Sequence, residues 1–135
     1  MQFITLTNKK RKPKNLQKYL INWGTDSRSK FQTQVKKFLK NYWLHNVVFE
    51  EFPIVGTRLS LDFYNANKKI AIEVQGRQHT NYIKFFHQTR ANFLSQLKRD
   101  EKKEKFCELN GITLVTIYEK DDINKELFEN QGVIL

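Results

Sequence analysis

Two alternating segments joined by a run of turn residues constrain this chain more than any other feature. In "RLSLDFY" Leu59, Leu61 and Phe63 alternate with Ser60, Asp62 and Tyr64, the period of two that marks a half-buried strand. In "IAIEVQ" Ile70, Ile72 and Val74 alternate with Ala71, Glu73 and Gln75. Between them lies "NANKK", which is turn chemistry, so the two strands should form an antiparallel hairpin. A hairpin turning through Asn65–Lys68 sets Asp62 opposite Ala71 or Glu73. Either register leaves Asp62, Glu73 and Gln75 on one face, opposite the apolar one. Cross-strand neighbours lie ~5 Å apart and diagonal ones ~7–8 Å. Two carboxylates that close repel unless something positive lies between them. A hard divalent cation such as Mg²⁺ would serve, held by one or two carboxylates plus waters and phosphate oxygens. A solvated polar outer face accounts for the same acids, and taken alone they favour it.

The flanking segments fill in an architecture. Residues 1–24 read as a basic N-terminal arm, with a short helix at "NLQKYLINW" that Gly24 terminates, and residues 25–135 as one domain. Phe31, Val35, Phe38, Leu39 and Tyr42 recur at helical spacing, so Arg28–Trp43 should be an amphipathic helix capped by Asp26 or Ser27. "NVVFEEFPI" is a short strand halted near Pro53 and Gly56. Arg90–Asn110 reads as a long helix ending at Gly111. "ITLVTIY" is a more continuously apolar strand, expected at the sheet centre, and "DINKELFEN" a final short helix. "GRQHTNYIKFFHQT" has no clear assignment. Its Phe85 and Phe86 suit a core residue and a lid contact better than a wedge between bases. A long helix before the last strand demands a crossover, which lays that strand parallel to a neighbour. The expected fold is therefore α/β: a mixed four-stranded sheet flanked by helices, in the order helix–β–β–β–helix–β–helix.

Charge narrows the partners. The formal charge is +10, and its source is local: residues 1–40 hold eleven Lys/Arg against one acid, Asp26, whereas thirteen of each sign balance over 41–135. Such an excess suits a polyanion, since neutralising phosphates releases condensed counterions. A passive basic tail explains "NKKRKPK" equally well. No apolar run approaches the ~20 residues that span a bilayer, and the N-terminus lacks a signal-peptide core, so a cytoplasmic protein with no membrane partner is expected. Cys107 is the only cysteine, which excludes an internal disulfide and a multi-cysteine zinc site.

The long helix bears on the two acids. Phe93 and Leu97 start its buried face, and Gln96, Asp100, Lys103 and Cys107 form a neighbouring stripe. Asp100 and Lys103 should therefore point toward the sheet's edge. A solvated helix with internal ion pairs is the commoner meaning of "LKRDEKKEKF".

Taken together, "LDFY", "KKIAIEVQGRQH" and "QLKRDEKKEKFCELNGITLVTIY" resemble the PD-(D/E)XK nuclease superfamily. The similar branch contains very-short-patch repair endonucleases and phage-type homing endonucleases, and the resemblance covers roughly residues 27–123. It implies a restriction-endonuclease-like core and a Mg²⁺- (or Mn²⁺-) dependent endonuclease acting on double-stranded DNA in a bacterial or phage-infected cell. By the same resemblance Asp62 is a metal-binding acid, Glu73 the acid of Glu-x-Lys, and Gln75 stands at the lysine position. His79 matches the branch histidine, Arg99 and Asp100 the helical Arg-Asp pair, and Gln32 the first-helix Glu of many members. Gln75 can orient water but cannot be its base. Lys103 is then the preferred source of positive charge and His79 of proton transfer or phosphate contact, with Lys69 as a further candidate. Lys9, Lys10, Arg11, Lys12, Lys14 and Arg77 are the expected phosphate contacts. Cutting both strands needs two active sites, which a homodimer would supply. A DNA-binding module that has lost catalysis through Gln32 and Gln75 is the alternative, and an assembly subunit using the basic arm a third.

Overall fold

The computed structural model describes residues 1–76 and 86–135, with side chains for all of these except 86–89. Along the chain lie β1 (Phe3–Ile4), β2 (Lys10–Arg11), a 3₁₀ turn (Leu16–Tyr19), α1 (Lys30–Trp43), β3 (Val48–Pro53), β4 (Ser60–Asn65) and β5 (Ile70–Gln75). These are followed by α2 (Phe86–Leu109), β6 (Thr113–Tyr118) and α3 (Lys125–Glu129). The fold is α/β with a mixed four-stranded sheet ordered β3-β4-β5-β6. Strands β3, β4 and β5 run antiparallel, and β6 pairs parallel with β5. The predicted hairpin is β4–β5, with Phe63 facing Ile72 and Asn65 facing Ile70. That register sets Glu73, not Ala71, opposite Asp62.

Three expectations need correction. Strand β6 is an edge strand rather than a central one. Its apolar run comes from burying Val115 and Ile117 under the helices, which an edge strand beneath helices needs as much as a central one does. The outer rim of β6 is partly closed by side chains. Gln131 Oε1 accepts from the Thr116 N–H at 3.0 Å while its Nε2 donates to the Thr116 carbonyl at 2.9 Å, and Asp121 Oδ2 accepts from the Tyr118 N–H. Second, α1 is capped by Ser29, whose side chain accepts from the Gln32 N–H, and not by Asp26 or Ser27.

Third, residues 1–24 are not a free arm. Phe3 is buried against Phe52, Tyr64 and Phe106, with ring centroids 5.6–6.1 Å apart. Asn110, at the end of α2, donates to the Ile4 carbonyl and accepts from its N–H. The basic side chains Lys9, Lys10, Arg11, Lys12 and Lys14 remain exposed on this packed segment.

The core has two halves, one on each face of the sheet. Val35, Leu39 and Trp43 of α1 pack with Val48, Phe63, Ile72, Val115, Ile117 and Phe128. On the other face Phe3, Phe49, Phe52, Leu61, Tyr64 and Ala71 meet Phe106 and Cys107 of α2. Helix α2 ends in a Schellman turn. Gly111 adopts φ 65° and the Ile112 N–H reaches the Cys107 carbonyl at 2.8 Å, which requires a residue at ease in the left-handed region.

Candidate active site

The site begins where the strand alternation slips. Glu51 sits at φ 53°, a left-handed conformation that costs a non-glycine residue roughly 1 kcal/mol or more. Phe49 and Phe52, three residues apart instead of two, consequently reach the same core half, as do Leu61 and Tyr64 on β4. The β3–β4 register pairs Glu50 with Phe63 and Phe52 with Leu61, leaving Glu51 and Asp62 outside it. On the other side of β4, the ladder to β5 stops at Phe63–Ile72. Beyond it side chains replace backbone pairing. The Asp62 N–H donates to Glu73 Oε2 at 2.8 Å, and the Val74 N–H donates to Asp62 Oδ2 at 2.8 Å. The two carboxylates thus occupy the seam between their strands.

The expectation that these acids line a polar face opposite an apolar one is wrong. Both faces are covered, and Asp62 and Glu73 are only 6% and 3% exposed. Burial first, and then the charge of Glu73, pushes the Asp62 carboxyl up to about 7. Burial also raises Glu73, but Lys103 draws it back down. Lys103 Nζ donates to Glu73 Oε1, which favours the charged form of Glu73 against the burial that raises it.

Lys103 arrives by the stripe that the sequence marks. Phe93, Gln96, Asp100 and Lys103 are half-buried and Cys107 buried, whereas Leu97, expected inside, is exposed. A small cavity lined by Glu73, Gln75, Asp100, Lys103, Thr116 and Tyr118 brings the predicted residues of β5 and α2 together. Asp100 accepts from Gln96 Nε2, and Gln96 in turn accepts from Arg99. Arg99 is exposed and bonds within its own helix. Lys69 lies at the turn before β5, four residues short of Glu73 and so ~13 Å along the strand. Arg77, His79 and Phe85 lie outside the described residues, as does the side chain of Phe86.

A second polar layer, of which the sequence reading named only Gln32, reaches Asp62 from the α1 side. Gln32 and Lys36 are each 2% exposed. Gln32 Nε2 donates to Glu50 Oε2 and to Glu51 Oε1, both at 3.0 Å. Lys36 Nζ pairs with Glu50 Oε1 at 2.9 Å, and Ser27 Oγ donates to Glu50 Oε2. Arg28 then places one guanidinium nitrogen 3.6 Å from both Glu51 Oε2 and Asp62 Oδ1. The N-terminus of α1 adds a favourable dipole for these acids. The signal was present in "FEEF", where two adjacent acids interrupt a strand's alternation.

Among the described residues, no three His, Cys, Asp or Glu side chains converge tightly enough to hold a metal ion by themselves. Two carboxylates with waters are nonetheless what a hard divalent cation takes. Two ionised carboxylates buried side by side also carry a repulsion that such a cation relieves. Asp62 Oδ1, which Arg28 approaches at 3.6 Å, offers an oxygen to it. The donor chemistry fits Mg²⁺ or Mn²⁺ held by Asp62 and Glu73.

No protein-family model matches the chain. No solved structure matches it either. Similar curated proteins come from viruses. "Uncharacterized protein 033L" of Invertebrate iridescent virus 3 is 30% identical over 98 residues, covering 69% of this chain and 50% of that protein. "Uncharacterized protein 307L" of Invertebrate iridescent virus 6 is 35% identical over 71 residues, 52% of this chain and 36% of the relative. "Uncharacterized protein 094L" of Frog virus 3 is 41% identical over 66 residues, 48% and 43% respectively. The chain thus spans half or less of the length of these relatives.

Proposed function

We propose that the chain is a divalent-metal-dependent DNA endonuclease that hydrolyses phosphodiester bonds on a restriction-endonuclease-like core. The observation that carries this reading is the buried Asp62–Glu73 pair, closed by the ammonium of Lys103 reaching across from α2. Asp62 and Glu73 would hold Mg²⁺ or Mn²⁺, which supplies Lewis-acid stabilisation of charge on the phosphate when bound. Gln75, lining the same cavity as Glu73 and Lys103, offers a carbonyl oxygen to orient the attacking water. Lys103 spends one of its three donors on Glu73 and retains two, enough to face a phosphate oxygen. It thereby supplies from another element the cation that Glu-Val-Gln lacks. The proton-transfer or phosphate-contact role of His79 and the phosphate contact of Arg77 stand on the sequence. A homodimer would give the second active site that double-strand cleavage needs.

Gln32 favours a second reading, a DNA-binding module without catalysis, because its amide is already committed to Glu50 and Glu51. One experiment decides between them. Purified protein is incubated with supercoiled plasmid in Mg²⁺ or in EDTA, beside Asp62→Ala and Glu73→Ala. Nicking or linearisation that needs Mg²⁺ and is lost in both variants, with DNA retention intact, is the expected outcome. Retention without cleavage under any divalent metal would establish the module instead, and full cleavage by either variant would remove these acids from the site.

A further inference from the structure

Among the described residues Arg28 is the cation on the α1 side that approaches the Asp62 carboxylate, and its contact is loose. It stands 3.6 Å from Asp62 Oδ1 and 3.6 Å from Glu51 Oε2, while its own side chain is 71% exposed. Lys36, by contrast, is buried in a 2.9 Å ion pair and is fixed. A contact this long, made by a cation that stays largely in solvent, adds little and is readily exchanged. Arg28 lines a surface depression with Lys18, Tyr19, Asp26, Glu50 and Glu51, so a second basic residue borders the same opening. A planar guanidinium grips a phosphate through two parallel hydrogen bonds. The acids and a phosphodiester therefore compete for one side chain.

We propose that Arg28 is an exchangeable counter-ion: it rests against Glu51 and Asp62 in the free protein and passes to a DNA phosphate, clearing those carboxylates for a divalent cation. This rests on the reading of Asp62 and Glu73 as the metal-binding pair. It adds a coupling between nucleic acid and metal, because a ligand that draws Arg28 off the acids removes a positive charge from the place where the cation binds. Such coupling is reciprocal, so metal must tighten DNA to the same degree.

The test measures binding, not cleavage. Mn²⁺ affinity is followed by electron paramagnetic resonance or calorimetry, with and without a short duplex. DNA affinity is measured in EDTA across a range of salt. Arg28→Ala should bind Mn²⁺ about five- to tenfold more tightly without DNA and lose most of the gain that DNA gives the wild type. Its DNA affinity in EDTA should fall, with a salt slope shallower by ~0.9. Arg28→Lys keeps the competing charge and should return Mn²⁺ affinity to the wild-type value. Unchanged Mn²⁺ affinity in Arg28→Ala, while Asp62→Asn still abolishes Mn²⁺ binding, overturns the role of Arg28 alone. Unaltered Mn²⁺ binding in Asp62→Asn overturns the metal pair and the inference together.

Discussion

Replacing Asp62 by Asn separates the charge of the site from its shape. The carboxamide retains an oxygen for the Val74 N–H, 2.8 Å away in the native protein, and deletes the charge that faces Glu73. The native carboxyl is pushed by burial, and then by Glu73, from an ordinary 3.8 up to about 7. Between those two pH values the folded chain holds a proton that the unfolded chain has released, so stability falls as pH rises through that window. Each tenfold change in proton affinity is ~1.4 kcal/mol. Ionising Asp62 in the metal-free fold therefore costs about 4 kcal/mol by pH 8, which for a chain of this size lowers Tm on the order of 10 °C. Thermal melts followed by circular dichroism in EDTA, from pH 4.5 to 8.5, read this directly. Wild type should lose stability across the range, Asp62→Asn should be much flatter, and the variant should be the more stable above pH 7. Added Mn²⁺ should raise the wild-type Tm at pH 8 and leave the variant unmoved. Parallel curves for the two proteins, or a wild-type Tm that climbs from pH 5 to 8, would refute the burial argument.

Further outcomes are expected. Lys103→Ala should lower the cleavage rate by ~10²–10³, the usual effect of removing one electrostatic contact from a reacting centre. Exposed Lys102, ~100° away around the helix, should tolerate alanine, and Gln75→Lys should be neutral or faster in the same plasmid assay. Neutralising Lys9, Lys10, Arg11 and Lys12 to Gln should weaken DNA binding and flatten the dependence of log K on log salt by ~0.9 per lost contact. An unchanged slope in a variant of unchanged Tm would mean that this segment does not meet DNA. Substitution keeps Phe3 in the core, which deleting the segment would remove.

The hairpin and the helices were legible because each rests on local periodicity: Ile70–Gln75 is bounded in the fold as its alternation predicts. Lys103 was legible through helical spacing, since an i, i+4, i+7 line is one face whatever it packs against. Of the α1 layer only Gln32 was, and that by resemblance rather than by pattern. Gln32 and Lys36 are polar residues on a buried face, and the apolar pattern of Phe31, Phe38 and Tyr42 steered the expected face about one position away. The flip at Glu51 shifts which residues point inward, and periodicity presumes that no such flip occurs. Tertiary pairing also hid the packing of Phe3, for a two-residue strand inside a basic run has no periodicity to detect.

The link between Ile4 and Asn110 spans 106 residues of chain, and that separation orders events during synthesis. At ~5–20 residues per second, roughly 5–20 s pass between the two residues being made. Through that interval Phe3 has no Phe106 to pack against, and the hairpin that carries Lys10 and Arg11 has no far anchor. Contacts so distant in sequence form late, because their loop-closure entropy must be met before they add stability. Lys103 and Asn110 lie on one helix and its cap, so the segment that completes the acid pair also fastens the basic hairpin. A ribosome-bound chain stalled before residue 100 should therefore have neither a closed Asp62–Glu73 seam nor a docked N-terminus, and should remain open to proteolysis at both places.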